Sequence, residues 1–341
     1  MGGWPGIPGR IRSEWVGGSA RNTHSDRRIL VNEAYISFFG KNRNQALTLG
    51  RWSVSDDREW LFDEELDGIH FFRRTGKVAV ELMYAREQLL QKDLLGRHDE
   101  TEPDHFYARA FSNLPGRNIG SIYGLYQKGQ DADDADLLWL GASLMGNTRS
   151  DLDYWAEFAH VRGTDDDRNV RGYGLDLAIT KTFENVPSNP RLTAGFAFGS
   201  GDGDGSTDTA FRQTGIQSNS SKFGGRKKFK YYGEVFDPEL SNLAVLTLGA
   251  GFDMFEKSSI DIVYHGFLQH RASRKIRDSK LDRKPNGISR NLGQEIDAIV
   301  GIREFDGVDL DLIGGVYFPG SAFGENRDPV VQLGFEITLE F

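Results

Sequence analysis

The final twelve residues of the chain alternate between large apolar side chains and polar or small ones. Every second residue from Leu333 to Phe341 is apolar and large, and the residues between them are polar or glycine. A period of two places the two sets on opposite faces of a β-strand. Two structures fit this pattern. One is a half-buried strand of a soluble sheet, and the other is the closing strand of a membrane barrel, with lipid on one face and a wet lumen on the other.

Similar alternation recurs throughout the sequence and predicts an all-β protein. The segments number about 16 and lie at 9–17, 31–39, 46–54, 66–73, 77–86, 105–112, 119–128, 136–146, 152–161, 171–183, 191–198, 241–255, 259–269, 292–304, 308–318 and 330–341. The connections between them are short and long in turn. Outer-membrane barrels have short periplasmic turns and long extracellular loops, whereas a soluble sandwich or propeller has no reason to separate its loops in this way.

We therefore predict an antiparallel transmembrane β-barrel as a single domain over 31–341, located in the bacterial outer membrane. Residues 1–30 would be an amino-terminal remnant with a possible first strand. With a periplasmic carboxyl terminus, the loops at 55–65, 199–240, 270–291 and 319–328 are expected to face outward. The acidic segment 162–169 is expected to be a further loop.

Composition narrows the function classes. No apolar run approaches the ~20 residues of a membrane-spanning helix. The absence of cysteine excludes disulfides and thiol chemistry. A net charge of −9 argues against general nucleic-acid binding. The amino terminus lacks the basic start and apolar core of a signal peptide, so we expect the sequence to be truncated there.

Several stretches resemble the alginate export family of bacterial outer-membrane barrels. The strongest are QTGIQSNSSKF at 213–223, YGEVF at 232–236 and ELSNL at 239–243. GQEID at 293–297 and FPGSAFG at 318–324 support them. The resemblance runs from about residue 31 to the end. It implies an 18-stranded barrel that passively exports an anionic polysaccharide, alginate in the first place, with outer-membrane lipid, lipopolysaccharide and periplasmic export machinery as partners. The match of LGR at 49–51 implies that Arg51 lies in the lumen, although Arg51 shares the parity of apolar neighbours and needs a bulge or a strand-end position to turn inward. No cofactor is predicted.

Strand parity supplies the other candidates for the conduit. They are polar residues on the face opposite the lipid-facing rows: Arg74, Arg109, Arg303, His265, Glu295 and Asp297. A uronate polymer carries one carboxylate per sugar, and planar guanidinium groups can pair with carboxylates at two points. Such contacts must be easily exchanged, or the polymer would stop. The alternative is that inward-facing arginines and acids neutralise each other and stiffen the barrel.

Two extracellular loops are predicted to be basic. The residues concerned are Lys222, Arg226, Lys227 and Lys228 in the first loop, and Arg271, Arg274 and Lys275 in the second. They could attract a polyanion, contact lipopolysaccharide phosphates, or remain solvated. Segment 199–209 (GSGDGDGSTDT) lacks the glutamate of an EF-hand and is interpreted as a flexible lid. No metal site is predicted.

Two other functions are compatible with a barrel. One is a general diffusion porin for small solutes. The other is an outer-membrane enzyme, which would need a serine beside a histidine near a strand end. His160 is a mid-strand histidine on an apolar face, but the sequence offers it no evident serine partner.

Overall fold

A computed structural model describes residues 31–40, 42–89, 102–130, 135–148, 151–165, 168–203, 205–325 and 327–339. The possible strand at 9–17 lies outside these residues. The strands are β1 (Ala34–Phe39), β2 (Gln45–Ser55), β3 (Asp63–Thr75), β4 (Val78–Arg86), β5 (Asp104–Leu114), β6 (Arg117–Lys128), β7 (Asp136–Asn147), β8 (Leu152–Asp165), β9 (Arg168–Thr182), β10 (Arg191–Gly199), β11 (Thr207–Asp208), β12 (Ser220–Ser221), β13 (Phe229–Lys230), β14 (Leu243–Met254), β15 (Ser258–Gln269), β16 (Asn291–Phe305), β17 (Val308–Pro319) and β18 (Val330–Leu339). A 3₁₀ turn spans Ser321–Phe323.

The long strands form one antiparallel sheet in chain order, from β1 through β10 and then β14 through β18. Each pairs with its sequence neighbours, as in an up-and-down barrel. Within the described residues these are fifteen strands, and each overlaps one of the predicted segments. The prediction of an antiparallel transmembrane β-barrel is confirmed. No described helix is both long and apolar enough to cross a membrane.

The two faces of the sheet differ as alternation requires. Large apolar side chains point outward along every strand pair, among them Ile122 (65% exposed), Leu192 (57%) and Leu333 (74%). Their neighbours in sequence point inward and are largely buried, as Glu295 and Asp297 are on β16. An apolar outer face and a polar inner face are the arrangement that a bilayer around a wet lumen selects.

One predicted loop is in fact strand. β8 continues to Asp165 and β9 begins at Arg168, so only residues 166–167 connect them. The prediction of a loop over 162–169 was wrong, because the pairing Arg162↔Arg171 through Asp165↔Arg168 extends the ladder beyond the apolar rows. Charged and glycine residues weakened the alternation there without interrupting the backbone hydrogen bonds.

The lumen holds two of the connections that were expected to face outward. Residues 200–242, here called the inward loop, join β10 to β14 and carry β11, β12 and β13. Residues 56–62, here called the Trp60 loop, join β2 to β3. Both contain fully or almost fully buried aromatic residues, including Trp60, Phe211 and Phe236. The protein core therefore lies between the barrel wall and these two loops.

Candidate functional site: the lumen and its inward loop

Aromatic side chains fix the inward loop to the wall of the barrel. The Phe236 ring stacks on Tyr317 at 4.9 Å between centroids and meets the edge of Phe267 at 5.0 Å. Phe211 stacks at 5.7 Å on Trp60 of the Trp60 loop, so the two inward-folded connections also pack on each other. Full burial of one such side chain contributes roughly 1.5–3 kcal/mol, so this packing strongly favours an inward position.

Backbone hydrogen bonds to wall carboxylates add a second kind of attachment. Val235 and Phe236 donate their N–H groups to the two carboxylate oxygens of Glu295, at 2.6 and 2.9 Å. Gly233 lies directly against the same carboxylate, where a Cβ would stand 2.9 Å from its atoms. Because Gly233 also has a φ of +99°, the close approach requires glycine.

The inward loop reaches the opposite end of the lumen. The Arg226 N–H donates to Ser259 Oγ at 2.8 Å, just past the short β14–β15 turn. Lys227 Nζ lies 3.0 Å from Asp311 Oδ2 and also contacts Glu336. From Glu295 to Gly301, which faces Arg226, β16 advances ~20 Å. The loop thus extends from the extracellular part of the lumen to its periplasmic end.

The Trp60 loop is organised by a buried carboxylate. Asp56 accepts hydrogen bonds from the N–H groups of Trp60, Leu61 and Phe62 at 3.1, 2.8 and 2.9 Å. Burial raises the pKa of Asp56, and these N–H donors oppose the shift. The Trp60 loop also contacts the inward loop, because Thr214 Oγ1 donates a hydrogen bond to the Leu61 carbonyl at 2.5 Å.

Arg58 occupies the centre of this arrangement. Its Nη2 donates to Asp176 Oδ2 at 3.1 Å. The guanidinium carbon lies 4.0 Å from the centroid of Tyr231 and 5.4 Å from those of Trp155 and Phe223. A carboxylate and three aromatic faces compensate a cation that is only 6% exposed.

Other arginines in the lumen are also held by acids. Arg191 makes a two-point contact with Asp261 at 2.8 Å through Nε and Nη2. Arg212 pairs with Asp165 at 2.7 Å and with Asp208 at 2.8 Å. Two-point pairing fixes the plane of a guanidinium group. The cations therefore stand at defined positions on the wall and on the inward loop.

Several of the predicted conduit residues do face the lumen. Arg109 lies 3.8 Å from Glu81, and its guanidinium stands 4.7 Å from the Phe111 ring centroid. Arg74 approaches the same ring at 5.9 Å. Arg303 is bound more tightly, by Asp309 at 2.8 Å and Asp311 at 2.7 Å. The structure brings Arg74 and Arg109 to the same aromatic ring, whereas Arg303 is held by two acids of β17.

His265, Glu295 and Asp297 also point inward, but they are covered. All three are 0% exposed. His265 Nδ1 lies 3.0 Å from Thr247 Oγ1, and its Nε2 lies 3.4 Å from Asp297 Oδ2. The inward loop occupies the space in front of them, so these residues bind the loop rather than line open space.

The prediction for Arg51 was wrong. Arg51 pairs with Asp67 through Nε at 2.7 Å and Nη2 at 2.6 Å, directly across β2 and β3. Both residues share the face of Leu49 and Ile69, which looks away from the lumen. The register shows no shift at Gly50, so no bulge turns Arg51 inward. The position of Arg51 is the one that alternation along β2 predicts, whereas the prediction of a lumen position came from the resemblance.

The first group of predicted extracellular basic residues needs a similar correction. Arg226 and Lys227 lie at the periplasmic end of the lumen, as described above. Lys228 pairs with Glu59 of the Trp60 loop, and Lys222 lines a lumen cavity. The inward loop was expected to lie outside the barrel because it is hydrophilic. Burial of the aromatic residues between its lysines favours its position in the lumen.

The second basic group lies on the surface of the connection between β15 and β16. Arg271, Arg274 and Lys275 are exposed on the 270–290 connection between β15 and β16. This connection also covers the inward loop: Lys280 Nζ donates to the Glu234 carbonyl at 3.0 Å, and Arg277 Nε lies 3.3 Å from Glu239 Oε2. Burial raises the pKa of Glu239 to about 7, although Arg277 lowers it.

The glycine- and aspartate-rich segment 199–209 is not a free lid. β11 pairs in parallel with Asn169 and Val170 of β9. Asp202 and Asp208 pair with Arg168 and Arg212. No group of three or more potential metal ligands occurs among the residues that the structure describes.

Sequence reasoning missed Arg58, Arg191 and Arg212. Parity could have found Arg191, because Leu192 beside it is 57% exposed on the outer face. Arg58 and Arg212 belong to connections, where alternation carries no information. For the inward loop as a whole, the high aromatic content of 223–236 was an available signal, because it is unusual for a solvated loop.

Two of the cavities among the described residues lie beside the inward loop. One of about 350 Å³ is lined by Thr182, Glu184, Asn189, Arg191, Gly224 and Asp253. Another of about 340 Å³ includes Arg58, Arg117, Lys222, Asp57, Asp153 and Trp155 in its lining. The latter lies at the strand ends of the short turns and combines three cations with two carboxylates. Within the described residues, Arg117 and Lys222 have no ion pair.

A meandering antiparallel sheet with a lipid-type outer face, a charged lumen and an inward-folded connection defines an outer-membrane β-barrel. The sequence model described as "Alginate export" matches residues 19–332, and the chain belongs to the alginate export family. The chain is similar to alginate production protein AlgE of Pseudomonas aeruginosa, at 30% identity over 255 residues, which is 62% of this chain and 51% of that protein. It is also similar to AlgE of Pseudomonas syringae pv. tomato, at 24% identity over 385 aligned positions, covering 91% of this chain and 76% of that one.

The chain thus spans about half the length of the first of these relatives. Among solved structures, it resembles OccK11 (OpdR) of Pseudomonas aeruginosa with a TM-score of 0.57 and 13% identity, over 87% of this chain and 77% of that one. OccK5 (OpdH) of the same species gives a TM-score of 0.54 and 10% identity, over 87% and 79%. At this identity the likeness concerns the fold.

Proposed function

We propose that this protein is a channel through which an anionic polysaccharide, alginate in the first place, leaves the cell by passive conduction. The proposal rests on family membership together with the cations of the lumen. Arg58, Arg109 and Arg191 stand near carboxylates that hold them in place, while each guanidinium keeps donors beyond those its acid uses. A periplasmic export machinery would deliver the polymer, and outer-membrane lipid would surround the barrel.

The cavity containing Arg58, Arg117 and Lys222 is the proposed first contact for the polymer. It lies at the end of the lumen where the short turns occur, which is the periplasmic end in this class of barrel. Arg117 and Lys222 can pair with successive carboxylates without first releasing a protein acid. Arg74 and Arg109 form a second cationic position near Phe111.

Conduction requires the inward loop to move. The loop runs along the lumen from Glu295 to Ser259, a path that a polymer would share. We propose that the described arrangement is the closed one and that an outward shift of residues 200–242 opens the channel. In the closed arrangement, the inward loop would then be held by three inward-facing residues of the wall, His265, Glu295 and Asp297.

Conductance in planar bilayers tests the proposal. The purified chain should show anion preference, and polymannuronate added on the periplasmic side should block the current. Arg117→Gln with Lys222→Gln should weaken that block about tenfold, because two charge-assisted contacts are lost. Strong cation selectivity that alginate leaves unchanged would refute the proposal and favour a general diffusion porin.

The position of His160 bears on the alternative that the protein is an outer-membrane enzyme. His160 faces outward beside Phe158 and makes no hydrogen bond to a serine in the described part of the chain. Hydrolysis of lipid esters by the purified protein, abolished by His160→Ala, would be the result that supports an enzyme.

A further inference from the structure

Two arginines stand opposite each other on the outer face of the barrel. Arg162 of β8 pairs in register with Arg171 of β9, and both side chains are exposed. They share their face with Phe158 and Tyr173, each 47% exposed. Like charges directly opposite in a sheet repel each other at ~5 Å between Cβ atoms and destabilise the pair. Such an arrangement calls for a counter-charge.

No described residue supplies one. Arg162 and Arg171 have no ion pair or hydrogen bond with the described part of the chain. Asp165 is bound by Arg212 at 2.7 Å on the inner side, and Asp202 is bound by Arg168 at 3.0 Å. Asp136 lies diagonally across from Arg162 in the register, and its Oδ1 accepts the Gly129 N–H at 3.0 Å.

The position along the strand places this pair at a membrane surface. Ten residues separate the pairing Leu152↔Lys181, at the short-turn end, from Arg162↔Arg171. That is ~33 Å along the strand and ~25 Å along the membrane normal at a tilt of ~40°. The apolar band of an outer-membrane barrel has the same height, ~25 Å. The arginines therefore stand where the head groups of the outer leaflet begin.

The surface just below the arginines is apolar and aromatic. Tyr173 lies 5.8 Å from Phe198 between ring centroids, and Phe198 lies 5.0 Å from His270. Such rings form the girdle that contacts the upper parts of lipid chains. A ligand at this place would have an apolar body along Phe158 and Tyr173 and an anionic group at the two guanidinium groups.

We propose that Arg162 and Arg171 jointly bind a phosphate group of an outer-leaflet glycolipid, the lipid A part of lipopolysaccharide. Two planar guanidinium forks can bond separate oxygens of one phosphate, and the bound dianion removes their mutual repulsion. The site is independent of conduction through the lumen and goes beyond the proposed function. It would anchor the extracellular ends of β8 and β9, which extend past the apolar rows.

Lipid titration of the full chain in detergent micelles tests the proposal. Bis-phosphorylated lipid A should raise the melting temperature, whereas dephosphorylated lipid A and inorganic phosphate should not. Arg162→Gln or Arg171→Gln should weaken lipid binding, followed by native mass spectrometry, about tenfold each. Lys181→Gln is the matched control, because Lys181 lies on the same face of β9 at the opposite end; it should bind as the parent does.

The coupling between the two arginines gives a second criterion. In lipid-free detergent, the double variant should melt no lower than the parent, because repulsion is removed. With lipid A present, the double variant should melt at a lower temperature than the parent, because the phosphate site is lost. The difference in melting temperature between the double variant and the parent should therefore change sign when lipid A is added. The proposal would be overturned by equal stabilisation with inorganic phosphate, by an equal loss of lipid binding in Lys181→Gln, or by a difference of the same sign with and without lipid.

Discussion

Arg58 and Asp176 form an ion pair of 3.1 Å inside the lumen, although 118 positions separate them in the sequence. Arg58 belongs to the Trp60 loop, and Asp176 lies half-way along β9. The contact joins two distant parts of the barrel wall through a connection that hydropathy alone would place outside. Tyr232 of the inward loop donates to the same carboxylate oxygen at 3.3 Å, so one acid holds both inward-folded connections.

Loss of Arg58 should release the inward loop. Arg58→Gln leaves the buried Asp176 carboxylate without its cation, which typically costs about 3–5 kcal/mol. Trypsin should then cut the loop at Lys222, Arg226, Lys227, Lys228 and Lys230 much faster than in the parent protein. Adding Asp176→Asn should restore most of the resistance, because the uncompensated charge is gone. Equal cleavage in the single and double variants would contradict this account.

A disulfide should hold the inward loop in the closed position. A Cβ at Gly301 would stand 3.1 Å from the Arg226 Cβ, a few tenths of an ångström short of disulfide geometry. Because the chain has no cysteine, Arg226→Cys with Gly301→Cys can form a single bridge. Oxidation should lower the channel conductance, and a reducing agent should restore it.

The single-cysteine variants, Arg226→Cys and Gly301→Cys, are the controls for that experiment. Their conductance should not respond to the oxidant. A bridged double variant that conducts as well as its reduced form would show that the periplasmic part of the loop need not move.

Ion selectivity should distinguish lumen arginines from outer-face arginines. Arg109→Glu reverses a charge that faces the lumen at 3.8 Å from Glu81, so the reversal potential should shift toward cation preference. Arg86→Gln removes an arginine that is tied to Asp104 at 2.7 Å on the outer side, and it should leave the potential unchanged. An unchanged potential in Arg109→Glu would remove Arg109 from the conduit.

Acidity should control how firmly the inward loop is held. Burial raises the pKa of Glu239 from 4.5 to about 7, so the closed state binds a proton that the released loop gives up. The stabilisation is fully present below pH 4.5 and is lost as the pH rises to about 7. The open fraction in single-channel recordings should therefore increase over this interval.

The variant Glu239→Gln isolates this effect. Its amide oxygen can still accept the Gln213 N–H, which Glu239 Oε1 accepts at 2.8 Å, but it cannot ionise. Its open fraction should be flat over the interval, whereas the exposed-site control Glu325→Gln should retain the dependence of the parent. A parent protein with no change between pH 4.5 and 7 would refute the role of Glu239.

The sequence by itself determined the barrel and its two faces. Alternation of apolar and polar residues is a local property, and a strand obeys it wherever its neighbours supply hydrogen bonds, as for Ile296 and Asp297. The same rule places Arg109 and Arg303 on the inner face, where the structure has Arg109 beside Glu81 and Arg303 beside Asp309 and Asp311. Alternation alone also places Arg51 on the outer face. The prediction that Arg51 lies in the lumen failed because it followed the resemblance instead of the alternation.

Only the tertiary structure decided the contents of the lumen. A connection has no periodicity, so the sequence could not say whether 200–242 stays in water or enters the barrel. The outcome depends on distant partners: the Glu295 carboxylate that accepts two backbone N–H groups, and the Tyr317 ring on which Phe236 stacks. These contacts stabilise the inward position only because the folded sheet brings the partners to the loop.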